Sequence, residues 1–250
     1  VNRSIERACK GLSEPIAMVT QIATETHLTL YDGINTDELD YATINAAVQN
    51  IKEDIQYDKV ATRLLLKTIY RRVIGEYDKE NPADLKQKHK QGFADYIKSG
   101  IENKRLHPDM GKKFDIAELA NALDIERDEL FVYAGLDGLM NRYSLKNDNQ
   151  QPVETPQYFF MRVAMGLSYN EANPTEYARK FYDKMSRHQY IAGGSTNLGA
   201  GTTRPSLSNC YLLEIHDDMG HIAKSVSDVL LLSKGSGGIG ASITKLRATG

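Results

Sequence analysis

Along most of the chain apolar residues return every three or four positions, the period of a helix with one buried face, and helix start and stop signals punctuate the stretches between. From Ser13 to about Arg187 this pattern predicts a mostly helical region. The stretch 58–74 carries it in full: Val60, Leu64, Leu65, Ile69 and Val73 share a face, Asp58 is placed to cap the start, and Gly75 follows the basic pair Arg71 and Arg72. Cations in the last turn complement the helix dipole, and glycine suits the left-handed position just beyond it. Thr36 precedes a second helix over 37–51, where Leu39, Ala42, Ala46 and Ile51 line up. Thr155-Pro156 opens a third over 156–167 and Asn173-Pro174 a fourth over 174–188, with proline where its missing N–H is not needed. The stretches 78–92 and 144–154 are polar and read as loops.

The pattern changes near Gly193, because 10 of the 19 glycines lie from there onward, a shift from helix packing to tight backbone turns. Leu207 to Ile215 reads as a buried strand, 218–234 as a helix through Ile222, Val226, Val229 and Leu230, and Ile239 to Leu246 as another strand. That β-α-β order predicts the start of a parallel sheet or barrel. There is no internal repeat and no low-complexity tract.

Composition narrows the class. With 250 residues, 41% hydrophobic and 26% charged, the chain is an ordinary globular one, long enough for one large domain or two modest ones. A net charge of −2 gives no global reason to expect nucleic acid or an anionic membrane as partner, so any phosphate site must be local. No apolar run approaches the roughly 18 residues a spanning helix needs, and there is no basic-then-apolar leader, so the cytoplasm is expected. Cys9 and Cys210 lie 201 positions apart, without CxxC or a nearby histidine at ligand spacing, which predicts neither a disulfide framework nor a metal site. The chain opens at Val1 and stops at Gly250 within a structural segment, which reads as a piece of something longer.

The string Gly235-Ser236-Gly237-Gly238-Ile239-Gly240 matches the dinucleotide fingerprint G-x-G-x-x-G in letters only. That motif needs a strand before it and a helix after it, with an acidic residue about 20 positions on. Here the order is helix, loop, strand, and a helix at 240–247 would be required to revive a dinucleotide-dependent oxidoreductase. No phosphate-cradling P-loop is present. Backbone N–H groups of the loop, with Lys234 before it and Arg247 after it, suit a phosphate; a tight turn between helix and strand is the plainer reading. Cys210, mid-strand between Asn209 and Tyr211, reads on spacing alone as a buried small hydrophobe. Asp217 and Asp218 can cap the following helix or bind ribose hydroxyls. Cys9 reads as a passenger at a helix end, and the six histidines form no triad or ligand pair.

Taken together the pieces resemble a family. The run Ala200-Gly201-Thr202-Thr203-Arg204-Pro205-Ser206-Leu207-Ser208-Asn209-Cys210-Tyr211-Leu212-Leu213, then Asp217-Asp218, then Leu232-Ser233-Lys234-Gly235-Ser236-Gly237-Gly238-Ile239-Gly240, then Leu246-Arg247-Ala248-Thr249-Gly250 resembles the large (α, catalytic) subunit of ribonucleoside-diphosphate reductase. Glu154 to Ala164 looks like the helix that precedes its barrel, and Leu30 to Thr36 with Tyr57 to Leu64 look like the later part of its ATP-cone. The resemblance covers nearly the whole chain. It implies an α+β fold: a partial ATP-cone over 1–75, a helical domain over 76–192, and from 193–250 the first β-α-β of a ten-stranded α/β barrel.

The resemblance also implies roles. Cys210 matches the cysteine that begins the redox pair, which reduces the 2′ carbon of the substrate and ends as a disulfide. Asp217, Asp218 and Met219 match the segment that binds the deoxynucleotide effector, Lys234 and Arg247 its phosphate contacts, and loop 235–240 the first effector loop at the interface of a large-subunit homodimer. In the cone, Thr36 and Arg71 are the matched contacts, but its opening hairpin is absent, so an intact ATP site is not expected. Two positions depart from the family: Asn209 stands where a small hydroxyl residue is usual, and Gly194 where serine or threonine is common. Both places ordinarily touch the substrate diphosphate, which leaves Ser195, Thr196 and Asn209 to take over.

The implied mechanism uses a thiyl-radical cysteine, a carboxylate and two reducing cysteines. Three cysteines are needed and this chain has two, so it is expected to be inactive alone. The implied partners are ribonucleoside diphosphates as substrates, ATP or dATP and deoxynucleoside triphosphates as effectors, and thioredoxin or glutaredoxin as reductant. The radical is expected from a metal-bearing small (β) subunit, toward which an ATP-cone leans, in preference to adenosylcobalamin. The rival from another class is a non-catalytic nucleotide-binding regulatory protein that kept the cone and effector loop.

Overall fold

A computed structural model describes residues 2–75, 82–235 and 237–248. The chain forms two compact units, one of Val1–Tyr96 with Ala120–Phe159, the other of Ile97–Leu119 with Phe160–Gly250.

The first unit is helical. Helices α1 (Asn2–Ala8), α2 (Pro15–Leu28), α3 (Thr36–Gln49) and α4 (Gln56–Ile74) bury a common core of Ile5, Cys9, Met18, Ile22, Ile44, Ala47, Val60 and Leu64. Two caps differ from expectation. Asn35, not Thr36, caps α3: its side chain accepts the Glu38 N–H at 2.9 Å, and Glu38 accepts the Asn35 N–H at 3.0 Å, a reciprocal capping box. Asp58 lies inside the first turn of α4 and accepts the Tyr133 N–H at 3.1 Å. Gly75 ends α4 with φ of +88°, a conformation that side chains with a Cβ rarely adopt.

The stretch expected as a loop at 78–92 divides. Residues 78–81 lie outside the described residues, and 82–92 belongs to α5 (Pro82–Glu102). Its buried stripe is His89, Phe93, Tyr96 and Ile97, helical spacing that starts from a histidine in a polar run and so escaped a search for apolar periodicity. Against it lies Tyr158, whose ring is 5.3 Å from Phe93 and 5.2 Å from Tyr96. A 3₁₀ turn at Ile125–Leu130 and helix α8 (Tyr133–Arg142) follow in this unit, and 144–154 is a loop.

Helices α6 (Met110–Lys113) and α7 (Ile116–Ala122) follow α5, and α9 (Pro156–Ser168) and α10 (Pro174–Ser186) bear out the two proline-opened starts, with α10 ending two residues earlier than its periodicity predicts. In the second unit, Leu106 pairs with Thr202 in an antiparallel bridge, and His107 donates its N–H to Gly201 at 3.0 Å. Gly201 has φ of +77°, and a Cβ there would lie 2.8 Å from the Arg162 carbonyl oxygen, so both conformation and space require glycine.

The short helix α11 (Gly194–Gly199) leads to β1 (Cys210–His216), α12 (Met219–Lys234) and β2 (Gly238–Lys245). The strands pair in parallel, Cys210 opposite Gly238 and Leu213 opposite Ala241, as the β-α-β order predicts. The expected burial does not follow. Tyr211, Leu213 and Ile215 are half-buried, while Cys210, Leu212, Glu214 and His216 alternate with them as an exposed row. A parallel strand is buried on both faces only when both are covered. Here α12 is the helix packed on the pair, and Leu212 is 88% exposed. The ladder also begins at Cys210, three residues later than the apolar run suggests.

Candidate functional site

Cys210 is the first residue of β1 and is exposed, which overturns its reading as a core thiol. The segment before it is tied to the turn that opens α11. Asn209 Oδ1 accepts the Ser195 N–H at 2.6 Å, and the Thr196 hydroxyl donates to the Leu207 carbonyl at 3.1 Å. Ser195 and Thr196 are buried, and Asn209 is half-buried. The structure therefore brings Ser195, Thr196, Asn209 and Cys210 into one corner. The far end of α11 is held by Arg162, fully buried, which donates to the carbonyls of Ala200 at 2.7 Å and Asn197 at 3.1 Å. A guanidinium suits this place, since it supplies several fixed donors where a helix end leaves acceptors. Sequence reading missed Arg162, although a lone charge within the run Tyr158-Phe159-Phe160-Met161-Arg162-Val163-Ala164 was the available signal.

The second group gathers around α12. Asp218 caps the helix, its Oδ1 accepting the His221 N–H at 2.9 Å, as its position predicts. Asp217 instead pairs with Arg247, Nε to Oδ2 at 2.6 Å. Two residues assigned to different parts of a nucleotide are thus bonded to each other. Met219 is 77% exposed at the start of α12. Lys234 stands exposed in its last turn and has no ion-pair partner among the described residues. Of the glycine loop, Ser236 lies outside the described residues. Gly237 packs so closely on Tyr211 that a Cβ would meet its ring at 2.4 Å, and residues from Gly238 onward are already in β2. A strand at 240–245 removes the dinucleotide reading.

The third group lies in the helical unit. Thr36 and Arg71 line one cleft of about 120 Å³ together with Ser4, Asp40 and Lys67. Arg71 is held there by Asp37 at 2.9 Å and Asp40 at 2.7 Å, and Lys67 pairs with Asp40 at 3.3 Å. Asp40 and Lys67 were not singled out in the sequence. Their signal was the spacing, with Asp37 and Asp40 one turn apart on α3 and Lys67 and Arg71 one turn apart on α4.

Strong electrostatic perturbation falls elsewhere. Burial pushes the Asp128 carboxyl up to about 7 and His89 down to about 3. Cys9, buried in the helical core, is pushed up to about 11 by desolvation, partly offset by Arg63, which keeps it an inert thiol. Among the described residues no helix is long and apolar enough to cross a membrane.

Comparison with known proteins adds to this geometry. Residues 129–205 match the family model of the ribonucleotide reductase all-alpha domain, and residues 208–250 match that of the ribonucleotide reductase barrel domain. The two follow in the order in which helices give way to β1-α12-β2. The chain belongs to the ribonucleotide reductase large-subunit family. It is 38% identical over 248 residues to the ribonucleoside-diphosphate reductase subunit alpha of Chlamydia muridarum, covering 98% of this chain and 23% of that protein. It is 31% identical over 249 residues to the alpha subunit of Helicobacter pylori strain 26695, covering 98% and 30%. It is 28% identical over 257 residues to the ribonucleoside-diphosphate reductase large subunit of Danio rerio, covering 100% and 30%. The chain thus spans 23 to 30% of the length of these reductases.

Proposed function

We propose that this chain is part of a reductase that converts ribonucleoside diphosphates to 2′-deoxyribonucleotides, with Cys210 opening its redox pair. The observation that carries the reading is the place of Cys210: first residue of the first parallel strand in the segment that matches the barrel domain, exposed, and beside the Ser195–Asn209 corner. A thiol on a rigid strand can be held at the reacting distance. In the proposed reaction a thiyl radical on another cysteine takes the 3′ hydrogen and returns it at the end, and a carboxylate accepts the 3′ hydroxyl proton. Cys210 and a partner cysteine supply two electrons and two protons, the 2′ hydroxyl leaves as water, and the two thiols become a disulfide. Thioredoxin or glutaredoxin restores them, and a metal-bearing small subunit supplies the radical.

This chain holds only Cys9 and Cys210, and Cys9 is sealed in the helical core. One accessible thiol cannot complete a redox pair, so the chain alone is inactive. Asp217, Asp218, Met219, Lys234 and Arg247 form the proposed effector segment, with Arg247 leaving Asp217 to take a phosphate. The exposed stripe of Val226, Leu230 and Leu231 on α12 supports pairing of two large subunits there. Thr36 and Arg71 form the proposed remnant of an ATP site.

The test uses the full-length reductase with dithiothreitol as reductant and the small subunit supplied. Wild type is expected to make deoxynucleotide, Cys210→Ser to abolish it, and Arg247→Ala to keep turnover while losing its response to deoxynucleoside triphosphates. A full-length protein that binds nucleotide yet never turns over sinks the reading in favour of a regulatory protein.

A further inference from the structure

Asn209 stands where the sequence places a candidate substrate contact, yet its carboxamide is committed elsewhere. Its Oδ1 accepts the Ser195 N–H at 2.6 Å. The rest of the carboxamide fills the space above Gly193, where a Cβ would lie 1.8 Å from Nδ2 and 2.5 Å from Cγ. Gly193 has φ of −64° and ψ of 160°, a conformation open to any residue. Glycine is therefore needed there for room, and Asn209 is what takes up the room. The same side chain sits one residue before Cys210, at the point where the ladder of β1 begins: the Asn209 carbonyl accepts the Gly238 N–H at 2.7 Å, and no residue before Cys210 belongs to the strand.

We infer that Asn209 is a positioning residue: seated on Gly193 and bonded to the Ser195 N–H, it pins the start of β1 to the turn before α11 and so fixes Cys210. The inference rests on the reading of Cys210 as a redox thiol. Serine in this place ends one bond earlier and gives up the carboxamide's bond to the Ser195 N–H. Asn209 and Gly193 therefore form a matched pair. An added methyl at 193 evicts the carboxamide, and a shorter side chain at 209 removes it. Either change frees the strand start, and a thiol displaced by about 1 Å from its reacting geometry loses up to about 100-fold in rate.

The test is a double-mutant cycle in the full-length reductase with Asn209→Ser, Gly193→Ala and the two combined. Turnover is measured alongside the rate at which iodoacetamide alkylates the peptide bearing Cys210. Each single variant is expected to lower kcat about tenfold with KM within about twofold, and to change the alkylation rate about threefold or more. The double variant is expected to be no worse than either single, because both lose one shared contact. A rise in KM with kcat retained makes Asn209 a direct substrate contact and overturns the inference. Multiplicative losses, or an unchanged alkylation rate, overturn it as well. If wild type makes no deoxynucleotide, the reading of the reaction fails, while the alkylation cycle still decides whether the pair pins Cys210.

Discussion

Polar side chains are handled in opposite ways in the helical unit and on the strand pair. In the helical unit Asp128 is fully buried and accepts the Tyr70 hydroxyl and the Gln157 amide, the latter at 2.6 Å. His89 is equally buried, with Nε2 2.8 Å from the Thr155 hydroxyl. Glu154, also buried, accepts the Leu145 N–H at 2.8 Å and the Tyr96 hydroxyl. These groups are satisfied by neighbours and hold helices in register. On and around the strand pair, Cys210 in β1, Asp217 after it, Lys234 at the end of α12 and Arg247 beyond β2 are exposed. A displaced pKa is often taken to mark a functional site; in this chain the large displacements mark a packed interior, and the candidate chemistry is marked by position on a strand and around a helix.

The sharpest way to break the comparison is to remove apolar bulk from each region. Phe93 is fully buried, so Phe93→Ala is expected to destabilise this chain by about 4 kcal/mol in urea unfolding. Leu212, equally apolar, is 88% exposed, and Leu212→Ser is expected to stay within about 0.5 kcal/mol. A loss above about 2 kcal/mol at Leu212 would show that its face of the sheet is covered in solution.

The buried acid and base of the helical unit give the next effect, and their signs oppose. Asp128 rises from 3.8 to about 7 on folding, so the folded state holds its proton more tightly and stability falls as pH rises through that window. His89 drops from 6.5 to about 3, so the unfolded state binds the extra proton and stability rises with pH across that window. The two slopes largely cancel between about pH 4 and 6.5. Asp128→Asn is expected to unmask a stability that climbs across that range by a few kcal/mol, and His89→Gln one that declines. Urea midpoints taken every half unit of pH decide it, and two variants with parallel profiles would contradict the assignment.

What could be read in advance was local. Helix α4, the proline-opened starts of α9 and α10, the Asp218 cap and the β-α-β order all depend on residues within a few positions of each other, where periodicity and capping chemistry act. What escaped was set by partners far along the chain. Asp58 gave up capping for an N–H 75 positions away at Tyr133. Arg162 answers carbonyls 35 and 38 positions on, and Asp217 meets Arg247 across 30. The exposure of Cys210 was hidden for another reason, since alternating apolar residues state which face a strand can bury and not whether anything covers it.

The smallest expected effect compares the two arginines assigned to nucleotide sites, Arg71 in the cone and Arg247 in the effector segment. Arg71 is gripped by two carboxylates, of which the Asp40 side chain is 13% exposed. Asp40→Ala with Arg71→Ala is expected to show a coupling of about 1.5 kcal/mol, as for a charged hydrogen bond partly out of water. Arg247 and Asp217 are 76% and 33% exposed, and the corresponding cycle is expected to give about 0.5 kcal/mol, fading further in about 1 M salt. That weakness is what the effector reading requires: a cation held loosely by one carboxylate can pass to a phosphate at little cost, whereas Arg71 must first leave two. Thermal unfolding of the four proteins in each cycle, at low and high salt, measures both couplings. A value above about 1.5 kcal/mol for Asp217 and Arg247 that survives about 1 M salt would make the pair a fixed strut of the strand ends, and Lys234 would then be left as the cation open to an effector.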